Sequence, residues 1–300
     1  MRVRVRQAPV DGVLLLDKPV GPSSNVVLQR AKRLLDAAQA GHTGTLDPLA
    51  GGLLVIGLGQ ATRFCGEMLE ADKVYRARLK LGERTDTGDA EGRTLSRGKV
   101  GVTRDQLLAV LPRFRGEIEQ VPPMYAAIKH LGRPLYSYAR SGENIARRPR
   151  RVLIRQIDLE EFESRDVVLR VECSKGTYIR VLAEDIGAAL GCGAHLAALQ
   201  RLAAGPFSLD EAINLETLES LSLGERLKRL LPPEALLGSR PRLVLDERVA
   251  VKFRQGRAVP VSAASGSVAV FEEKGGFIGA GEVDAQGWLR PRRLVAQNHP

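Results

Sequence analysis

One short run of small and reactive residues constrains this chain more than any other part of its sequence. Residues 41–52 read GHTGTLDPLAGG and lead into an apolar run at 53–58, which predicts a buried strand. Glycines permit positive φ angles, and Pro48 keeps Asp47 out of the α-helical region. We therefore expect Asp47, with His42 nearby, on a shaped loop anchored by a strand, where reactive groups are common. A Gly-rich surface turn with a hydrogen-bonded aspartate would explain the same residues.

The run G-H-T-G-T-L-D-P-x-A-x-G-x-L resembles the hallmark motif of the TruB-type tRNA pseudouridine synthases, which isomerise uridine 55 in the T loop of tRNA. The resemblance covers most of the chain. It implies that Asp47 is the nucleophile and that His42 inserts into the base stack. It also implies an α+β fold, the pseudouridine synthase fold. We expect a mixed, largely antiparallel central sheet flanked by helices, and a small β-rich C-terminal domain that is PUA-like.

Two further motifs precede and follow this run. The pattern D-K-P-x-G-x-S-S at residues 17–24 resembles the family's N-terminal motif, which implies that Lys18 lies near the active site with the RNA- and base-binding residues. Residues 74–81 alternate between apolar and polar, which predicts a strand with Tyr75 on its apolar face. A core tyrosine is the ordinary interpretation. The resemblance of K-x-Y-x-A to the family motif makes Tyr75 an active-site residue.

The remaining site residues also come from the resemblance. The polar loop at 82–92 resembles G-x-x-T-x-T-x-D-x-x-G, which implies that Asp89 lies close to the cleft among the RNA- and base-binding residues. The run G-T-Y-I-R opens a predicted helix with Arg180 off its apolar stripe. A lone helix arginine is usually on the surface, but the family motif implies that Arg180 pairs with the catalytic aspartate and places Tyr178 beside the base. The run H-L-x-x-L-x-R implies that Leu199 walls the base pocket.

An arginine-rich segment lies at about residues 122–152. Such a segment is often a solvated, mobile surface. Its P-P-x-x-S-A-x-K-like start resembles the family's RNA-gripping insertion, which implies RNA contacts for Lys129, Arg148 and Arg151. This chain has Ala126 where the family usually has serine, so a contact from that hydroxyl is lost.

The net charge of +10 indicates a polyanionic partner, here the T arm of tRNA, although a basic surface can also be inert. Aromatic residues make up only 4% of the chain, so a broad base-stacking platform is not expected. The three cysteines form no CxxC pair, and the histidines show no metal-ligand spacing: His42, His130, His195 and His299. We expect a reducing cytoplasm and no metal. The basic residues at 1–6 precede no signal-like apolar region, and no run is long enough to span a membrane.

The chain length allows one large domain or two. Residues 231–241, rich in proline, are the best linker candidate, followed by short strand-like runs at 258–261, 267–271 and 277–280. We therefore predict a catalytic domain at residues 1–238 and a PUA-like RNA-binding domain at 239–300. A stabilising appendage without RNA contacts is the alternative for the second domain.

Pseudouridine formation breaks an N-glycosidic bond and remakes it at C5, so neither electrons nor phosphates are exchanged and no cofactor is expected. One aspartate partnered by an arginine fits an isomerase better than a base-removing glycosidase, which uses two carboxylates. Whether Asp47 attacks C1′ or C6, or acts through a glycal, stays open. A non-catalytic RNA-binding protein or chaperone is the runner-up, distinguished by whether Asp47, Tyr75 and Arg180 converge in one cleft. We expect a monomer that needs no guide RNA.

Overall fold

A computed structural model of the chain describes residues 10–296. The basic N-terminal residues 1–6 and His299, considered above, lie outside this range.

Strands dominate the described residues. The strands are β1 (Gly12–Lys18), β2 (Ala40–His42), β3 (Ala50–Leu58), β4 (Lys73–Leu81), β5 (Glu83–Thr85), β6 (Thr94–Arg97), β7 (Gly116–Gln120), β8 (Lys129–His130), β9 (Arg133–Pro134), β10 (Arg150–Glu163), β11 (Asp166–Cys173), β12 (Ala194–Ala204), β13 (Phe207–Ser208), β14 (Ile213–Asn214), β15 (Arg242–Leu245), β16 (Val259–Pro260), β17 (Gly266–Glu272), β18 (Phe277–Val283) and β19 (Trp288–Leu294). The helices are α1 (Ser24–Leu34), α2 (Arg104–Val110), α3 (Leu135–Arg140), α4 (Ile179–Ala189), α5 (Leu215–Ser220), α6 (Leu223–Leu227) and α7 (Glu247–Arg254), with 3₁₀ helices at Gly59–Met68, Leu111–Phe114, Leu209–Glu211 and Pro233–Leu237.

A ten-stranded sheet forms the larger unit, in the order β14-β1-β3-β12-β4-β11-β10-β7, with β2 added to β3 and β13 to β12. Only the pairs β1–β14 and β3–β12 are parallel. The other pairs are antiparallel. The prediction of a mixed, largely antiparallel sheet is therefore confirmed.

Helices cover the apolar side chains of this sheet. Helix α4 contributes Leu182 and Ile186 to a core that includes Leu79 of β4 and Leu169 of β11. Helix α1 packs with α5 against β1 and β3 in a second core. Ser23 caps α1: its hydroxyl accepts a hydrogen bond of 3.4 Å from the backbone N–H of Val26. This bond satisfies one free N–H of the first turn. A capping box formed by Thr103 and Gln106 begins α2.

The central strand β12 is not apparent from its sequence. Its residues AHLAALQRLAA are rich in alanine and leucine and do not alternate, because both faces of the strand are partly covered and two register shifts interrupt its pairing with β4. Pairing with β3 on one side and β4 on the other makes this segment a strand. The tertiary partners therefore override its local propensity.

A separate five-stranded sheet forms the C-terminal unit, in the order β15-β17-β18-β19-β16, with α7 packed on it. The strand-like runs predicted at 267–271 and 277–280 lie within β17 and β18, and the run predicted at 258–261 includes the two-residue strand β16. The segment predicted as a linker is instead packed: Leu231 and Val13 exchange backbone hydrogen bonds of 2.8 and 2.9 Å. Leu236 is buried with Phe64 and Phe271, because the apolar 3₁₀ turn after the prolines fills a core shared by both units.

Candidate active site

The loop that carries Asp47 joins β2 to β3 and is held on both sides of that residue. Ser24, the first residue of α1, donates its hydroxyl to the Leu46 carbonyl and accepts from the Leu46 N–H, both at 2.8 Å. The Gly21 N–H donates to the Pro48 carbonyl at 2.8 Å. The segment that follows β1 therefore fixes the backbone immediately before and after Asp47.

Lys18 supports the same loop from inside the protein. Its ammonium donates to the carbonyls of Ala50 at 2.7 Å and Pro19 at 2.9 Å, and the residue is only 1% exposed. Burial lowers the pKa of Lys18 to about 8, and the nearby Asp47 carboxylate opposes that shift. We predicted Lys18 among the RNA- and base-binding residues. In the structure the ammonium bonds the backbone of the loop, and contact of Lys18 with RNA stays a prediction.

Arg180, in the first turn of α4, connects three parts of the site. Its Nη2 lies 2.9 Å from the Asp47 carboxylate and donates to the Tyr125 carbonyl at 2.7 Å. Its Nη1 donates to the Thr87 carbonyl at 3.3 Å and lies 3.5 Å from the Asp89 carboxylate. The Arg180 side chain is 6% exposed, whereas that of Asp47 is 43% exposed. A permanently charged, planar group thus orients the Asp47 carboxylate while leaving it accessible.

Asp89 lies behind this arginine rather than at the surface. Its carboxylate accepts from the Thr87 hydroxyl at 2.6 Å and from the Glu91 N–H at 3.1 Å. The residue is 4% exposed. The carboxylate is enclosed by these donors and Arg180, and its contact with RNA stays a prediction.

A cavity of about 270 Å³ opens beside the Asp47 loop. This volume is close to the lower end of the about 300–1,000 Å³ typical of small-molecule sites, so it suits a single base. The residues that the sequence predicts and that line the cavity are Asp47, Tyr75, Tyr178, Arg180 and Leu199. The proposed catalytic three therefore converge in one cleft, which counts against a non-catalytic scaffold.

Tyr75 and Tyr178, two of the three tyrosines that line the cavity, are held as neutral phenols. Burial raises the pKa of Tyr75, and the facing Arg201 partly opposes that shift. Burial also raises the pKa of Tyr178. Both rings therefore present an apolar face and a protonated hydroxyl to the cavity.

Arg201 is a functional residue that sequence reasoning did not single out. It lies on β12 opposite Tyr75, is 2% exposed, and lines the cavity. Its guanidinium donates to the carbonyls of Leu53 at 2.7 Å and Gly44 at 3.1 Å, one on each side of the Asp47 loop. Gly52 fits here because its φ is +95° and a Cβ would lie 2.4 Å from the Arg201 carbonyl. The only signal in the sequence was the final arginine of H-L-x-x-L-x-R.

His42 lies on β2 next to the residues that line the cavity. Burial lowers the pKa of its imidazole, and Arg201 lowers it further. Its Nδ1 is buried without a hydrogen-bond partner among the described residues. The lowered pKa favours the neutral imidazole.

Comparisons with known proteins decide the family. Residues 32–179 match the model of the TruB family pseudouridylate synthase N-terminal domain. Residues 180–237 match a tRNA pseudouridylate synthase B C-terminal domain, and 241–295 match the C-terminal model of Pseudouridine synthase II TruB. The tRNA pseudouridine synthase B of Thiobacillus denitrificans is 54% identical over 97% of each chain. The chain belongs to the TruB family of pseudouridylate synthases.

Other relatives of this TruB-family chain agree in sequence and in fold. The tRNA pseudouridine synthase B of Dechloromonas aromatica is 52% identical over 95% of this chain and 96% of its own. A chain of a Cbf5–Nop10–Gar1 complex superposes with a TM-score of 0.73 at 29% identity, covering 95% of this chain and 85% of that chain. A chain of an H/ACA RNP bound to a substrate RNA containing 2′-deoxyuridine gives 0.70 at 27% identity, with the same coverage. The predicted fold, including the PUA-like C-terminal unit, is thus confirmed.

The insertion of this TruB-family chain is hydrogen-bonded to a cavity-lining residue at the point where it begins, here called its root. The Gln120 amide donates to the Tyr178 carbonyl at 3.3 Å and accepts from the Tyr178 N–H at 3.0 Å. This buried glutamine, which sequence reasoning also missed, fixes the start of α4 against the end of β7. Ala126, the departure from the family serine, is buried and lines the cavity.

The rest of the insertion consists of a β8–β9 hairpin and the short helix α3. The basic residues predicted to bind RNA are exposed and do not line the cavity: Lys129, Arg148 and Arg151. Arg147 donates to the Pro122 carbonyl at 3.2 Å and closes the base of the insertion. Exposed cations on a segment that starts at the cavity are suitably placed to meet a polyanion.

No group of three or more metal-binding side chains occurs between residues 10 and 296. Across the same part of the chain, no helix is both long and apolar enough to span a membrane.

Proposed function

We propose that this chain isomerises uridine 55 in the T loop of tRNA to pseudouridine, with Asp47 as the nucleophile. The observation that carries the assignment is the Arg180–Asp47 ion pair of 2.9 Å at the wall of a cavity sized for one base. Membership of the TruB family and the name shared by its curated relatives support the reaction and its substrate.

The reaction needs little besides positioning. The C1′–N1 bond of uridine breaks, the uracil turns, and a C1′–C5 bond forms. N1 ends with a proton and C5 loses one, so substrate and product are isomers. The carboxylate of Asp47 acts by adding to C1′ or C6, or by removing the C2′ proton to give a glycal. Because atoms and electrons balance within the substrate, the proposal includes no cofactor.

The cavity walls would keep the detached base from leaving. Tyr75 and Leu199 both line the cavity, so a uracil can rest between a flat ring and an aliphatic side chain. Stacking on an aromatic ring contributes about 1–3 kcal/mol per base. Closure around the base would also exclude water, which a glycosidase would need to admit.

Uridine 55 must leave the folded loop before it can enter the cavity. Flipping a base costs a few kcal/mol. We assign the vacated position to His42, whose imidazole is kept neutral by burial and can stack on a neighbouring base. Phosphate contacts from Lys129, Arg148 and Arg151 would offset the cost of flipping.

The wider setting is proposed on the same grounds. We place the protein in the cytoplasm, acting as a monomer without a guide RNA. We divide it into a catalytic domain at residues 1–238 and an RNA-binding PUA-like domain at 239–300. The shared core described above means that the two domains act as one body.

The test is purified protein with an unmodified tRNA transcript, with a metal chelator present, followed by nucleoside analysis and mapping of the modified position. We expect pseudouridine at position 55 alone. Asp47→Asn should abolish product while tRNA affinity stays within a few-fold, because binding rests on phosphates and stacking. Asp105→Asn, on the exposed first turn of α2, is the matched control and should leave both unchanged.

Three outcomes would contradict the proposal. Free uracil would indicate a glycosidase, and tight binding without product would indicate a binding protein. Loss of binding that matches the loss of activity in Asp47→Asn would remove Asp47 from the role of nucleophile.

A further inference from the structure

Two carboxylates form ion pairs with two cations beside the mouth of the cavity. Residues 69–72, here called the rim segment, follow the 3₁₀ helix Gly59–Met68 and lead into β4. Within it, Glu70 is ion-paired with Lys175, and Asp72 lies 2.6 Å from Arg155. The rim segment thus contributes negative charge to an otherwise basic protein at the place where RNA is expected to enter.

The cations belong to the site rather than to a distant surface. Lys175 lies in the loop between β11 and α4 and lines the cavity, as does Leu69 at the start of the rim segment. Arg155 lies on β10. Two residues earlier on this strand, the Leu153 carbonyl accepts a hydrogen bond of 2.8 Å from the Ser174 N–H of the same loop. Lys175 is therefore at the edge of the opening through which a flipped nucleotide would pass, and Arg155 is joined to the adjacent rim segment through Asp72.

These ion pairs are weak enough to exchange. The Lys175 and Glu70 side chains are 57% and 66% exposed. Those of Arg155 and Asp72 are 47% and 36% exposed. Exposed pairs of this kind contribute about 0–1 kcal/mol, because water and salt screen them and two long side chains must be ordered.

The backbone of the rim segment does not depend on these pairs. The ammonium of Lys73, which is buried, donates to the carbonyls of Leu69 at 2.9 Å and Ala71 at 2.5 Å. The Gly205 N–H donates to the Asp72 carbonyl at 2.9 Å. Since these bonds hold the segment in place, the side chains of Glu70 and Asp72 remain available for another role.

We propose that Lys175 and Arg155 bind backbone phosphates of the RNA beside the cavity, and that Glu70 and Asp72 compete for these cations in the free protein. The proposal rests on the RNA substrate proposed above. Phosphate oxygens match the ammonium and guanidinium as partners, so RNA that enters the cavity exchanges carboxylate for phosphate. RNA that cannot reach the cavity must displace the carboxylates without the compensating base contacts. The rim segment therefore selects against unrelated RNA.

The test measures Kd against salt concentration in an Asp47→Asn background, for a T-arm stem-loop and an unrelated stem-loop. Lys175→Gln with Arg155→Gln should weaken T-arm binding by about threefold to tenfold and reduce the salt slope by about one per cation. Glu70→Gln with Asp72→Asn should tighten binding of the unrelated stem-loop more than that of the T arm. Arg115→Gln with Asp158→Asn, an exposed ion pair of the larger unit that does not line the cavity, is the matched control and should leave Kd within twofold.

Several results would overturn the proposal. An unchanged salt slope in the Lys175 and Arg155 variant would show that RNA does not use these cations. Weaker binding and a lower Tm in the Glu70 and Asp72 variant would make the pairs structural struts. Equal tightening for both RNAs would remove the selective role. Pseudouridine formation by the wild-type protein is assayed separately, so a failed proposal for the reaction is distinguishable from a failed phosphate exchange.

Discussion

Lys18 and Arg201 are two buried cations that hold the Asp47 loop by its backbone carbonyls. Lys18 donates a hydrogen bond to the carbonyl of Ala50, and Arg201 donates to those of Gly44 and Leu53. An unpaired buried carbonyl costs about 1–3 kcal/mol, so each cation offsets part of its own desolvation by satisfying such groups. The proposed nucleophile is thus positioned by residues that do not themselves need to touch the substrate.

The buried ammonium of Lys18 predicts a pH dependence of stability. Its pKa is lowered from 10.5 to about 8, mainly by burial, so between these pH values the unfolded chain binds a proton that the folded chain does not. Stability should therefore rise with pH in this interval relative to Lys18→Met. In urea unfolding, the free energy of unfolding of the wild type minus that of Lys18→Met should rise by about 1–2 kcal/mol from pH 7.5 to 9.5.

Lys99→Met removes an exposed lysine and should show no such trend. A wild-type-to-Lys18→Met difference that stays constant over the same pH range would mean that the ammonium remains charged inside the fold.

At the scale of residues, the groups that the chemistry requires can be predicted from the sequence, but the groups that position them cannot. Asp47, His42, Tyr75 and Arg180 could be predicted because each lies in a motif with a defined order. Ser24, Gln120 and Arg201 act by bonding backbone atoms between 22 and 157 positions away. Such contacts leave no local pattern, so only the fold reveals them. Motif position alone also does not indicate that Lys18 and Asp89 are buried.

At the scale of elements, the insertion combines a fixed root with an exposed basic end. Its root contacts the site through the Tyr125 carbonyl and the Gln120 amide, whereas Arg148 and Arg151 face solvent near the start of β10. The root can therefore influence the geometry around Arg180, and the basic end can influence affinity. These two effects should separate in kinetics.

Replacing both Arg148 and Arg151 with glutamine tests this separation. We expect KM to rise by about tenfold with kcat within twofold, and the slope of log Kd against log salt to fall by about two. The physical reason is that phosphate contacts bind ground state and transition state equally. Steady-state kinetics and binding at several salt concentrations provide the measurement.

Arg113→Gln with Arg165→Gln removes two exposed arginines outside the insertion and serves as the control. A large fall in kcat for the insertion variant would contradict the assignment of these residues to binding alone.

Elements with a clear period were predictable, and elements defined by their partners were not. The strand at residues 74–81 alternates because one of its faces meets solvent, and the run at 53–58 is continuously apolar because both faces of β3 are buried. Strand β12 has neither pattern. The linker predicted at residues 231–241 is proline-rich, but two adjacent leucines within it enter a core supplied by distant segments.

At the scale of the whole molecule, the C-terminal unit is packed against the catalytic unit. Phe64 of the 3₁₀ helix contacts Phe277 of β18 at a ring separation of 5.2 Å, and Phe271 of β17 lies in the same core. The Arg240–Glu67 ion pair of 2.6 Å adds a polar contact beside that core. Two units that share a buried core are expected to unfold together.

Trp288, the single tryptophan of the chain, reports on the C-terminal sheet, whereas far-ultraviolet circular dichroism reports on both sheets. We expect the two signals to give the same urea midpoint. Phe271→Ala should lower the free energy of unfolding by about 3–4 kcal/mol, and both urea midpoints should fall together. Trp288 fluorescence changing at a lower urea concentration than circular dichroism would show that the C-terminal unit unfolds independently.

The parallel pairing of β3 with β12 sets the order in which the active site can appear during synthesis. The Asp47 loop is made early, but the arginine that braces it is 148 positions beyond Leu53 and 157 beyond Gly44. At about 5–20 residues per second, the nascent chain spends many seconds with its nucleophile made and its cavity unformed. A ribosome-bound or truncated fragment ending before β12 would therefore carry the whole hallmark motif and still be unable to modify RNA.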